Sequence, residues 1–173
     1  SLSSDFVTPH RKWAELKKPV KVLGIVHNYT ARELVELAQR VDLEITPVFF
    51  CGGFGTPQNY MQYSEKDSNL WLAEQLKKNY DVILIGGVNG KLLSPENQKK
   101  IVEKVRTGTG LVAIFPNNVP PILAEILPLR EGRETYFIRG PLKKAGHAVT
   151  DGIPLSGEIS AAPYAVSGTP ILY

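Results

Sequence analysis

Cysteine is almost missing from this sequence: Cys51 is the one example among 173 residues. No disulfide can form within a single chain, and cysteine usage leaves the redox compartment open, cytoplasmic or exported. Histidine is nearly as scarce, with His10, His27 and His147 far apart. These residues have no metal-ligand spacing, so neither a metal nor a cofactor is expected. An excess of one charge is also lacking. A net charge of +3, without a lysine or arginine cluster interleaved with aromatics, argues against a nucleic-acid surface. The pairs Arg11-Lys12 and Lys17-Lys18 read instead as parts of a solvated arm. Apolar runs are no longer than a strand, short of the about 18 residues a membrane helix requires, so no membrane span is expected. No signal-peptide pattern is read at the start, where Ser1-Leu2-Ser3-Ser4 suggests a mature product or a piece of something longer.

What is present is an ordinary globular composition, 43% hydrophobic and 21% charged, which suits one domain with a full core. Residues 1–18 have little apolar periodicity and read as a linker or N-terminal arm, followed by a single domain over 19–173. Val20–Val26 is a nearly continuous β run of the kind buried on both faces of a parallel sheet. Thr30-Ala31-Arg32-Glu33 has capping-box spacing, and a helix follows with Leu34, Ala38 and Val41 on one face. Leu43–Phe50 is a second strand, in which Pro47 points to an edge position. A long loop beginning Cys51-Gly52-Gly53 reaches about Asp67, and Ser68 is read as the cap of a helix through Lys78.

Tyr80–Gly87 is a third strand ending in glycines, and Ser94-Pro95-Glu96 opens a helix with Ile101, Val102 and Val105 inward. Leu111–Phe115 is a fourth strand and Pro120–Leu127 a short helix. This alternation predicts an α/β fold, a flavodoxin-like, doubly wound and mainly parallel sheet flanked by helices. Beyond Pro128 glycines and prolines break the pattern into an irregular, β-rich C-terminal third. Short strands are read at Thr135–Ile138 and within Ala162–Tyr173.

Three stretches together resemble the class I glutamine amidotransferase-like superfamily, in particular its trehalose-utilisation (ThuA-like) branch. They are Tyr80–Gly87, Leu93–Glu96 leading through a helix to Thr109–Phe115, and His147-Ala148-Val149-Thr150-Asp151-Gly152-Ile153-Pro154. The last is similar to the family phrase His-Pro-x-Thr-x-Gly-x-Pro, with Ala148 in place of proline. The resemblance covers roughly residues 19–173. It implies the fold, and it implies association with carbohydrate-processing enzymes, so a sugar-related role is an expectation from family alone.

The resemblance also implies a catalytic cysteine at the turn after the fourth strand, and that residue is missing. Phe115 or Pro116 stands there, and a phenyl ring cannot attack a carbonyl. The amide following Phe115 would help form an oxyanion hole, yet Pro116 has no N–H to give. Amidotransferase or esterase chemistry is therefore not expected at this corner. Gly108-Thr109-Gly110 matches a dinucleotide fingerprint as text, but it follows a helix and opens a strand, the reverse of what that motif requires.

The expectation is a non-catalytic domain serving as an accessory, interaction or small-ligand-binding module. Its partners would be other domains of the same polypeptide, a second copy, or a small polar ligand or sugar. The candidate ligand-binding residues are His27, Asn28, Cys51, Gly52, Gly87, Phe115, Asn117, Asn118 and His147, gathered at the carboxyl ends of the strands. The alternative is a hydrolase or transferase in which His27 lowers the thiol pKa of Cys51 beneath a 51–67 lid. A half-buried cysteine that merely packs as a small apolar group is the plainer account of Cys51.

Overall fold

In the computed structural model, residues 16–27, 31–50, 64–114, 118–127, 129–130, 138–141, 158–161 and 165–166 are described. The chain divides into two compact units, Ser1–Ile126 and Leu127–Tyr173. The first holds strands β1 (Val20–His27), β2 (Leu43–Phe50), β3 (Val82–Gly86) and β4 (Gly110–Ile114). It also holds helices α1 (Arg32–Arg40), α2 (Glu65–Gln75), α3 (Pro95–Arg106) and the single turn α4 (Pro121–Ala124). The four strands form one open, all-parallel sheet in the order β2-β1-β3-β4, the order of a flavodoxin-like sheet. Parallel strands need long crossovers, and right-handed ones send α1 to one face and α2 and α3 to the other.

Alternation along the strands separates the two cores. Val22 and Val26 of β1 pack with Leu34 of α1 and Leu84 of β3, supported by Ala31, Leu37 and Ile45. Leu23 and Ile25, in register with Ile83 and Ile85, are buried on the opposite face. Helix α1 therefore uses Leu34 and Leu37, whereas Ala38 faces solvent and Val41 lies beyond the last turn. Its cap differs from expectation as well. Ala31 is the N-cap residue, no side chain caps the turn, and Thr30 lies outside the described residues.

Helix α2 starts one turn earlier than Ser68 suggests. Ser64 accepts from the Asp67 N–H while the Asp67 carboxylate accepts from the Ser64 N–H, closing a reciprocal cap. Ser68 is then inside the helix, buried, and donates to the Phe49 carbonyl at 2.7 Å. Helix α3 begins as its sequence predicts: Ser94 caps the Asn97 N–H and Pro95 occupies the first turn. Helices α2 and α3 are tied by side-chain amides. Asn97 donates to the Asn69 carbonyl at 2.9 Å, and Asn69 accepts from the Ser94 N–H and donates to the Leu92 carbonyl, each at 2.8 Å. Gly108, at φ +113°, makes the turn from α3 into β4.

Asp81 holds the amino-terminal end of the sheet together. Its carboxylate accepts from the Lys21 N–H, its own N–H donates to the Lys21 carbonyl, and its carbonyl accepts from Gly110, all at 2.9 Å. Three strands are thus fixed at one residue. At the other margin, the Val20 N–H donates to Asp42. By alternation the even-numbered residues of β2 face β1, and Pro47 points outward, where no N–H is missed. Its edge position is as expected.

The second unit contains two antiparallel pairs: β5 (Leu129–Arg130) with β8 (Ala165–Val166), and β6 (Ile138–Pro141) with β7 (Glu158–Ala161). The strand expected over 135–138 is thus seen at Ile138–Pro141, with 135–137 outside the described residues. Among the described residues, no helix is long and apolar enough to cross a membrane.

Candidate functional site

The strand order creates one special place. From the end of β1 the chain turns back to β2 on one side, and from the end of β3 it runs to β4 on the other side. The outgoing connections diverge between β1 and β3, leaving a crevice at the carboxyl ends, where open α/β sheets receive their ligands. One row of the sheet there reads Phe49, Val26, Gly86, Ile114, and His27 in the next row stands beside Phe50.

His27 ends β1 on the face away from α1, by alternation with Leu23 and Ile25. A histidine at the end of a strand suggests a side chain offered to solvent, yet His27 is only 4% exposed and its Nε2 atom is buried. Its neighbour in the β2 register is Phe50, itself fully buried. Burial disfavours the charged imidazolium and lowers its pKa from the ordinary 6.5. At neutral pH the ring is uncharged, with one nitrogen suited to accept a proton and the other to donate.

Gly87 follows β3 at φ +47° and donates its N–H to the Ile114 carbonyl at 2.9 Å. Its amide is committed to the sheet, so its contribution to a site is the space left by the missing side chain. Asn118 lies four residues past β4, exposed, also at positive φ (+46°), a conformation asparagine tolerates better than most residues. His27, Gly87 and Asn118 therefore all belong to the carboxyl-terminal end of the sheet. Asn28, Cys51, Gly52, Phe115, Asn117 and His147 lie outside the described residues, as does Pro116.

A contact that the sequence did not signal joins the loops after β3 and β4. After β3 the chain makes a 3-10 turn, Gly90–Leu92, whose preceding Asn89 accepts from the Lys91 N–H. A Cβ at Gly90 would fall 2.5 Å from Pro120 Cδ and 2.7 Å from the Asn118 carbonyl oxygen. Only glycine permits so close an approach, and it locks the loop after β3 against the loop after β4. The Gly86-Gly87 pair drew attention to this loop, while the glycine that matters for packing stands three residues later.

Among the described residues, no group of three or more histidine, cysteine, aspartate or glutamate side chains is placed to hold a metal ion. The described residues at this end of the sheet include a neutral buried imidazole, an exposed asparagine and the glycines at the end of β3. Such groups hydrogen-bond polar ligands and carry no fixed charge to select an ion. Comparison with protein-family models, with curated proteins and with solved structures finds no match to this chain.

Proposed function

We propose that this protein is a non-catalytic, amidotransferase-like binding module that takes a small polar ligand at the carboxyl ends of β1, β3 and β4. One observation carries the reading: the connections leave in opposite directions between β1 and β3, where His27 ends its strand and Gly87 follows β3, and Asn118 follows the neighbouring β4. The resemblance of 80–87, 93–115 and 147–154 supplies the family expectation, and Phe115-Pro116 is the ground for withholding that family's nucleophilic chemistry. A sugar or a carboxamide is the ligand class to try first. Amide titration by NMR with a panel of monosaccharides, disaccharides and glutamine tests the reading. Shifts centred on His27, Gly87 and Asn118, with affinity lowered at least tenfold by Asn118→Ala, are expected. Shifts centred elsewhere, or none at millimolar ligand, overturn it.

A second reading is favoured by one specific observation. His27 is paired with Phe50, the residue preceding Cys51, and burial keeps its imidazole neutral and able to act as a base. A Cys51–His27 dyad would then serve a hydrolase or transferase. Iodoacetamide alkylation of Cys51 as a function of pH separates the two. The binding-module reading expects a midpoint near the free-thiol value of about 8.5. A midpoint well below that, restored to it by His27→Ala, would establish the dyad.

A further inference from the structure

Helix α2 carries apolar residues on two faces. Ser68, Leu72 and Gln75 are buried against the rest of the unit. On the other side Asp67, Leu70, Trp71 and Glu74 follow the i, i+3, i+4, i+7 spacing of a single helical stripe, with Leu70 58% and Trp71 52% exposed. A helix needs one apolar face to join its own core, and a second one calls for another partner. This stripe meets Pro47 and Phe49 on the outer edge of β2, forming an open groove of about 720 Å³. Among the described residues, the groove draws on none of His27, Gly87 and Asn118.

We infer that this groove docks a segment of a partner protein in which apolar side chains alternate with lysine or arginine. Both charged side chains that line it among the described residues are acidic, Asp67 and Glu74, and they stand one turn to either side of Trp71. An indole flanked by two carboxylates attracts a cation through its ring face and through ion pairing. Asp67 remains ionised because the Ser64 hydroxyl and amide donate to it, holding its carboxyl below the usual range. Glu74 is bound to Lys77 at 2.6 Å, but both side chains are more than half exposed, and a pair of that kind is weak enough to exchange for an incoming cation. Lys66 stands one turn before Leu70 at the margin of the stripe and is not among the described residues that line the groove. Side chains, not strand pairing, make the contact. Along the last half of the edge Pro47 offers no N–H and the outward Phe49 carbonyl is already taken by Ser68.

Calorimetric titration of the full chain with an acetylated pentapeptide alternating leucine and lysine tests this. Saturable binding is expected, at least tenfold weaker for Trp71→Ala and for Glu74→Lys, and undetectable for the leucine–glutamate peptide. Both substitutions fall on exposed positions, and an unchanged circular dichroism spectrum confirms folding in each variant. Equal binding of the two peptides, indifference to both substitutions, or failure to saturate overturns the inference. So does a dimer in sedimentation velocity that Trp71→Ala dissociates, because a second copy would then be the occupant. None of these results bears on the crevice, whose test reads amides at His27, Gly87 and Asn118.

Discussion

His27 illustrates how burial converts a residue type into a pH dependence. The folded pKa lies below the unfolded value near 6.5, so in the window beneath 6.5 the unfolded chain binds the proton more readily. Stability is full above that window and falls as the pH drops through it. Urea midpoints measured between pH 7.5 and 5.5 should decline, and His27→Leu should remove part of that decline. An identical pH profile in the variant would show that other groups govern the slope. Asp81 makes a second prediction at this scale. Asp81→Ala removes a charge-assisted hydrogen bond to the exposed Lys21 amide, which water can then solvate, so a loss of about 1 kcal/mol is expected in chemical denaturation. Neither role was legible in the residue names. His27 ends a strand yet is buried, and Asp81 was read simply as part of the third strand.

The elements show which local signals are decisive. Val20–Val26 and Val82–Ile85 were readable as strands because a strand buried on both faces needs an unbroken apolar run. Ser94-Pro95 was readable because cap and proline agree. Helix α2 was misplaced because Ser64 and Ser68 both precede apolar residues, and only Ser64 has an acid three positions on. Its outward stripe of Leu70 and Trp71 was unreadable without knowing which face the sheet would take. At this scale Asn97→Ala should cost about 1–3 kcal/mol, since Asn97, only 3% exposed, donates to both the carbonyl and the side-chain oxygen of Asn69. Gly90→Ala should cost a similar ~1–3 kcal/mol by overpacking, and should shift the Asn118 and Val119 amides in NMR spectra. Unshifted amides would mean that the two loops are not locked together.

At the scale of the whole molecule, the β-α alternation was enough to anticipate an open parallel sheet flanked by helices. It was not enough for the C-terminal third, where strands of two to four residues pair antiparallel and no periodic run announces them. All four parallel strands and their helices lie within Ser1–Ile126. The fragment 1–126 is therefore expected to unfold cooperatively in urea with its α/β circular dichroism intact. A gradual, non-cooperative loss of signal would show that the sheet depends on residues beyond 126.

The junction at Asp81 also imposes an order in time. Lys21 leaves the ribosome 60 residues before the carboxylate and carbonyl partner that Asp81 supplies, and Gly110 follows only later. Strand β1 can meet β2 during synthesis, but the interior side of its amino-terminal end stays unsatisfied until residue 81 arrives. A nascent chain halted at residue 70 should leave the Lys21 amide open to hydrogen exchange, and one extended past residue 120 should protect it. For this molecule β1 is made first but is secured only when the third strand emerges.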